Sequence, residues 1–365
     1  MNKDKRIMIL SVVVVSLVMV TATSGCVDSV ENVLKNLFGS IGNVFGMEVV
    51  KPSRVTDSVG VTNPVIIENA WTLPNNEVLP DSNVKFMMEI SNLDDDPDKK
   101  VKNLFVDLFD ATVFKASKNP GDFCNIAPNK CLPNDCSKNN KCTMSMGSTK
   151  QVRFDIWSPS SKEIAKVYTK GTLNYLLRYD YNGSTNYEIL VVNYDEILRR
   201  QQEAKALSAS LQDTRGGGPI KIDVELRTPY VVAGSPKNPD KSQTAYFVFK
   251  LRNAGAGSLS SCTNKDGKSI NNAICMGKFK IKFPDGLGHV SEHDPVFSCS
   301  GGVCTNSEDV IQLFRGETQP FTFKIEDVNN LPGGVPYRSF FINADVQYSY
   351  ELRGSVQLNV NPNLA

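Results

Sequence analysis

The chain predicts an all-β fold: two tandem β-sandwiches joined by a helical linker, behind an N-terminal signal or anchor segment. Three observations predict it. Apolar and polar residues alternate at period two in many short blocks, with Phe86, Met88 and Ile90 on one parity and Lys85, Met87 and Glu89 on the other. That alternation marks a strand with one buried face. Turn-forming stretches such as Asn75-Asn76, Asn182-Gly183 and Pro332-Gly333-Gly334 separate the blocks, as hairpin connections do. Finally, blocks in the first half of the chain return in the same order in the second. Antiparallel strands with few helices and frequent turns pack as sandwiches.

Residues 1–26 read as a secretory signal with a lipoprotein-like end. Lys3, Lys5 and Arg6 precede an apolar run from Ile7 to Val20, and Thr23-Ser24-Gly25 lead to Cys26. Basic, apolar and small-residue zones in that order direct export. Cys26 would then carry a lipid. One acyl chain gives only marginal membrane binding, so firm anchoring takes a diacyl group or a second contact. The alternative is an uncleaved signal anchor, whose apolar run is short against the ~20 residues of a full span. Either way the protein is exported and held at a membrane.

Residues 27–49 follow as an amphipathic helix or a stalk. Val30, Val33, Leu34, Leu37, Phe38, Ile41 and Phe45 form an apolar stripe at helical spacing, weakened by Gly39, Gly42 and Gly46. Such a stripe suits either a bilayer surface or a protein face.

The two sandwiches are expected at 50–193 and 218–365. Val65–Pro74 resembles Ile220–Pro229, and Val84–Asn92 resembles Ala245–Asn253. Val106–Asp110 resembles Ile281–Asp285, Val152–Ile156 resembles Phe321–Ile325, and Arg178–Tyr181 resembles Gln347–Tyr350. The last pair is read as a strand followed by a turn and one more strand. Between the sandwiches, 194–217 is a linker, helical over 194–213. Good helix formers fill it, Gly216-Gly217-Gly218 follows, and Ile197, Ala204, Leu207 and Leu211 make a narrow apolar stripe.

The segment Phe247-Val-Phe-Lys-Leu-Arg-Asn253-Ala-Gly255-Ala-Gly257 resembles the strand-Asn-x-Gly signature of CARDB-type immunoglobulin-like domains. Asn and Gly tolerate the left-handed backbone that turns a strand out of a sheet. The first half departs from the pattern, because Leu93-Asp94-Asp95-Asp96 follows Asn92. The resemblance implies an immunoglobulin-like module of a bacterial or archaeal surface protein, with adhesive or architectural work and no catalytic residues.

The nine cysteines divide into Cys26, a first set at Cys124, Cys131, Cys136 and Cys142, and a second at Cys262, Cys275, Cys299 and Cys304. An even set per domain in an exported chain reads as disulfides. The first set lacks the CxxC spacing of a zinc knuckle. In the second half the expected pairs are Cys262–Cys275 and Cys299–Cys304. Pairing in the first half stays open: alignment from upstream matches Cys124 to Cys299, and alignment from downstream brings Cys136 near Cys304.

Once residues 1–26 are removed, 37 Lys+Arg face 38 Asp+Glu, so no basic field exists to draw nucleic acid. Hydrophobic content of 41% is that of a folded chain.

Candidate chemistry is sparse. The only two histidines form His289-Val290-Ser291-Glu292-His293, an inverted zinc-protease pattern that needs a helix to aim both imidazoles at one metal. Pro284, Gly286, Gly288 and Asp294-Pro295 around it read instead as a loop. Asp94, Asp95, Asp96 and Asp98 crowd one loop and offer hard oxygen ligands for calcium, although Lys99, Lys100 and Lys102 follow and neutralise them. Gly267-Lys268-Ser269 lacks the first glycine of a phosphate loop, its place being taken by Cys262. Asn182-Gly183-Ser184 is a glycosylation sequon on an expected hairpin tip. The tyrosines at 179, 181, 348 and 350 read as core residues.

No cofactor is expected. The function this supports is a membrane-anchored, extracytoplasmic structural or adhesive protein, without enzymatic activity, whose partners are envelope or cell-surface proteins, itself included. The alternatives are a solute-binding or sensory surface lipoprotein, which needs a cleft, and a zinc-dependent hydrolase.

Overall fold

The computed structural model describes residues 63–362 apart from 76, 95–100, 117–129, 132–142, 204–212, 236, 293, 329–330 and 332–334. The first half supplies β1 (Val65–Leu73), β2 (Glu77–Val78), β3 (Asn83–Asn92), β4 (Lys102–Asp110), β5 (Lys115–Ala116), β6 (Lys130–Cys131), β7 (Thr149–Trp157) and β8 (Thr169–Asn193). Helix α1 (Tyr194–Gln202) follows, then β9 (Asp213–Arg215), β10 (Ile220–Leu226), β11 (Val231–Ala233) and β12 (Ala245–Asn253). Short strands come next: β13 (Ser258–Leu259), β14 (Cys262–Thr263), β15 (Ser269–Ile270) and β16 (Ala273–Ile274). The chain ends with β17 (Phe279–Lys282), β18 (His289–Glu292), β19 (Ser298–Ser300), β20 (Val303–Thr305), β21 (Ile311–Gln312), β22 (Phe321–Glu326) and β23 (Tyr337–Val360).

The repeat is visible in the topology. One small sheet runs β1-β3-β7-β5 and its counterpart runs β10-β12-β22-β18. Each repeated block occupies the same place in its own sheet: β1 matches β10, β3 matches β12 and β7 matches β22. The third sheet is shared. It runs β19-β20-β17-β23-β8-β4-β6, with β2, β9, β11 and β13 along its borders.

The two halves are therefore not sandwiches connected only through a linker. All 24 residues of β23 pair antiparallel with β8, from Tyr337 opposite Val192 to Val360 opposite Thr169. At ~3.4 Å per residue this ladder is on the order of 80 Å long. The early part of β8 lies beside β4, with Val106 opposite Leu177. Its later part crosses into the other half and pairs in parallel with β11, Val231 opposite Val191. Strand β23 does the reverse. Phe279 of β17 pairs with Val346, whereas Val78 of β2 pairs with Val360. Each half is closed by a strand segment that begins in the other, and residues 53–196 and 210–365 form one compact unit.

The expected turns after Tyr181 and Tyr350 are absent, and parity explains why. Leu173, Tyr175, Leu177, Tyr179 and Tyr181 are buried, and so are Gly183, Thr185, Tyr187, Ile189 and Val191. A two-residue Asn182-Gly183 turn reverses which parity faces the core. It would expel Tyr187, Ile189 and Val191. Gly183 serves close packing instead: a Cβ there would stand 3.3 Å from Val346 Cγ1 and 3.4 Å from the Ile220 carbonyl.

Helix α1 carries Asp195 and Glu196 in its first turn and Arg199 and Arg200 in its last, matching the helix dipole. Of the remainder of the expected 194–213 helix, Glu203 is a turn and Asp213 already belongs to strand β9, while 204–212, including Ala204, Leu207 and Leu211, lies outside the described residues.

Candidate interaction surface

The halves meet at a buried tyrosine seam. Tyr179 stands opposite Tyr350 and Tyr181 opposite Tyr348 in the ladder. Their ring centroids lie 5.8 Å and 6.0 Å apart, and Tyr348 is 6.3 Å from Tyr350. Burial pushes the Tyr179 and Tyr348 phenols well above the usual range, with neighbouring tyrosines and Asp94 adding to the effect.

Each half docks its tyrosine on the loop after the second strand. Asn92 Oδ1 accepts from Asp94 N at 3.1 Å, and Asn253 Oδ1 accepts from Gly255 N at 3.0 Å. In the first half Tyr181 donates to Asp94 Oδ2 at 2.5 Å. In the second, Tyr350 donates to Asn253 Oδ1 at 2.9 Å and accepts from Gly257 N at 2.8 Å. The glycines of the strand-Asn-x-Gly motif are needed for contact, not for left-handed backbone. Asn253, Gly255 and Gly257 all lack positive φ. A Cβ on Gly255 would fall 2.5 Å from the Tyr350 hydroxyl, and one on Gly257 would fall 2.1 Å from the Glu351 carbonyl.

This seam relocates one calcium candidate. Asp94 is buried, 2% exposed, and its carboxylate points at Tyr181. Asp95, Asp96 and Asp98 lie outside the described residues. Among the described residues no group of three His, Cys, Asp or Glu side chains could hold a metal.

The histidine motif lies on edge strand β18, where a loop was expected. His289 pairs with Glu326 and Val290 with Ile325, and His289 is exposed. Successive side chains of a strand point to opposite faces, so the helical display that zinc hydrolysis requires is missing at 289–292. His293 lies outside the described residues.

Cys262–Cys275 and Cys299–Cys304 are disulfides. The first staples β14 to the end of β16, and the second joins residues directly opposite in the β19–β20 hairpin. Cys131 is placed by its backbone in β6, opposite Val106. Cys26, Cys124, Cys136 and Cys142 lie outside the described residues. Asn182 is exposed in mid-strand, opposite Gln347, rather than at a hairpin tip.

The opposite face of the ladder was not recognised in the sequence as a surface. Arg178 Nε donates to Glu351 Oε1 at 2.8 Å, Arg353 reaches Glu351 Oε2 at 3.3 Å, and Ser260 adds a bond at 3.0 Å. Asp180 accepts from Ser349 and Asn103. Further along, Asn182, Ser184, Asn186, Asn343, Asp345 and Gln347 share one face and make a polar field. Beyond it the face turns aromatic: Phe341 is 54% exposed and Tyr337 is 48% exposed. Both residues share a parity on one strand, so they project from the same side, which the sequence signals only after the long strand is known. The surface can donate and accept hydrogen bonds across its middle and bury rings at its end.

No family model matches the chain, and no curated protein matches it. Among solved structures, a protein of unknown function from Porphyromonas gingivalis W83 is 12% identical, with 72% of this chain and 84% of that chain covered and a TM-score of 0.17. The collagen adhesin from S. aureus is 7% identical over 84% and 95% of the two chains, with a TM-score of 0.13. The CupB6 tip adhesin from Pseudomonas aeruginosa is 9% identical over 83% and 97%, also at 0.13. These scores lie far below those of chains that share a fold.

Proposed function

We propose that the protein is an extracytoplasmic surface protein, held at a membrane by lipidated Cys26 or by an uncleaved N-terminal anchor. It works without catalysis, by binding other envelope or cell-surface proteins or further copies of itself. The observation that carries this reading is the outer face of the shared sheet, where Tyr337 and Phe341 stand half exposed on a strand paired with β8 along its whole length, beside a polar field. Exposed aromatics on a rigid scaffold are typical binding anchors. Two disulfides support an oxidising compartment. The strand-Asn-x-Gly motif supports a CARDB-like module.

The test is cross-linking on intact cells followed by mass spectrometry, comparing the natural chain with Tyr337→Ser/Phe341→Ser. Loss of a specific cross-linked partner, with the protein still folded and exported, is the expected result. An unchanged partner profile would remove this face from the mechanism. Cys26→Ser should release the protein from membranes or leave the signal uncleaved; unchanged processing and retention would refute lipidation.

A further inference from the structure

The shared ladder has two ends, and they differ. At the end where β8 starts and β23 finishes, five large apolar side chains stand between 40% and 61% exposed: Leu73, Leu79, Trp157, Val167 and Tyr168. They come from separate pieces of chain that the fold brings together. Trp157 closes β7 opposite Asn83 of β3 and Lys115 of β5. The neighbouring Ser158 hydroxyl donates to the Leu79 carbonyl at 2.6 Å. Leu79 follows Val78, which pairs with Val360, and Val360 pairs with Thr169 beside Tyr168. Leu73 ends β1 opposite Lys85, two residues along β3 from Asn83. Val167 N donates to the carbonyl of buried Ile164 at 2.8 Å, which holds down the turn that carries it.

The same end is basic. Lys162, Lys166 and Lys170 are exposed, and none of them is in an ion pair among the described residues. The one acid between Ser158 and Lys170 is Glu163, and Lys115 holds it. At the opposite end the repeat puts other chemistry in these places. Glu326 stands where Trp157 stands, and it is ion-paired with Lys324. Residues 331–339, which match 162–170, contain a single base, Arg338, and it lies over the Phe340 ring at 5.2 Å.

We propose that this end of the first half is a membrane contact: it sets Trp157, Val167 and Tyr168 into the headgroup region of an anionic bilayer, with the three lysines above them. Trp and Tyr rings favour that region, where one side is apolar and the other wet. Each lysine close to an anionic surface adds attraction. The charge at the end is of one sign, which matches a lipid surface better than the mixed charges of a protein face. The contact rests on the reading that the protein is held at a membrane, and it supplies the second attachment that a single acyl chain requires. Reach is sufficient. Residues 27–62 can span up to ~120 Å when extended, whereas β1 carries the chain only ~30 Å from Asn63 to this end. Tyr337 and Phe341, at the far end of the ladder, stay clear of the bilayer.

The chain has two tryptophans, Trp71 and Trp157, so Trp71→Phe leaves Trp157 as a single reporter. The full chain with that replacement is combined with phosphatidylglycerol vesicles that carry a lipid spin-labelled near the headgroup, and with phosphatidylcholine vesicles as the neutral comparison. Vesicle flotation reads attachment, and Trp157 emission reads the contact. The expected result is floating protein whose Trp157 emission shifts to the blue and is quenched, more strongly in phosphatidylglycerol. Lys162→Gln/Lys166→Gln/Lys170→Gln should remove that preference. A chain with Trp71→Phe, Trp157→Phe and Tyr337→Trp should float without quenching. Floating protein with unquenched Trp157 would overturn the contact and leave the anchor standing. Equal quenching of the reporter at 337, or equal quenching in the two lipids, would overturn it as well. Absence of flotation would overturn the membrane-held reading and this contact with it. Unquenched Trp157, together with a protein cross-link on cells that Trp157→Ser/Tyr168→Ser abolishes, would assign this end to a protein partner instead.

Discussion

The first and second halves share a strand order yet lock it with different chemistry. The second packs an aromatic core, with Phe297 5.0 Å from both Phe321 and Phe323 and Phe249 5.4 Å from Phe323. It seats Tyr350 on an amide and a glycine N–H. The first centres on Phe86, with Phe154 at 5.9 Å and Tyr175 at 5.5 Å, and seats Tyr181 on a buried carboxylate. What both keep is the parity of the long strand and a tyrosine bonded to the loop after the second strand. The comparison teaches that the seam is the common requirement, while core composition and the tyrosine's acceptor are free to vary.

The largest effect should come from breaking parity. Deleting Ser184 shifts every residue after it to the other face, moving Tyr187, Ile189 and Val191 outward. Loss of the soluble folded protein is expected, read by circular dichroism and solubility. A deletion within the exposed Lys265–Gly267 turn should be tolerated by the same measures.

Glycine contacts come next. Gly257→Ala drives a Cβ into the Glu351 carbonyl and should cost about 3 kcal/mol or more. Gly147→Ala in the first half meets nothing within 4 Å; it should cost only ~1–2 kcal/mol for its positive φ. Urea titration distinguishes them, and equal losses would remove the close-contact explanation.

The double replacement Cys262→Ser/Cys275→Ser should cost ~2–4 kcal/mol. Because β8 and β23 bind the halves together, calorimetry should still show one transition at lower temperature. Two separated transitions would mean that the halves fold independently.

Docking chemistry can be exchanged at smaller cost. Asp94→Ala leaves the buried Tyr181 hydroxyl without its acceptor and should cost ~1–3 kcal/mol. Asp94→Asn, which gives the first half an amide like the second, should cost less. A loss for Asn as large as that for Ala would show that the seam needs the charge and not merely an acceptor.

The smallest effect concerns alkaline pH. The Tyr179 and Tyr348 phenols are raised by burial, while the unfolded chain titrates near ~10. Above that value the unfolded state loses protons first, so this contribution to stability is complete below pH ~10 and declines as pH rises toward the folded values. Absorbance at 295 nm should show phenols that ionise only on unfolding; free titration of all tyrosines in the folded protein would contradict a buried seam.

Much of the strand layout was legible because burial imposes period two. Phe86, Met88 and Ile90 announced β3, and Phe247, Phe249 and Leu251 announced its counterpart. The disulfide pairs of the second half followed from a short Ser-Gly-Gly-Val loop for Cys299–Cys304 and from the long loop between Asn253 and Lys278 for Cys262–Cys275. The ends of strands were less legible. Asn182-Gly183 reads locally as a turn, but the uninterrupted parity on both sides outweighs it. Asp94 reads as one of several loop acids, and only the approach of Tyr181, 87 residues later in the chain, makes it a buried acceptor. His289 sits among glycine and proline signals that hide a four-residue edge strand from a reading of the sequence.

By itself the sequence determined the β class, the internal repeat and the face each strand turns inward, because these depend on residues a few positions apart. Tertiary structure alone decided that the two repeats share one ladder and that Tyr337 and Phe341 end up on an outer face. Whether a strand folds back on its own repeat or crosses to the other depends on which surface can bury its apolar side, and that surface is assembled from segments more than a hundred residues away.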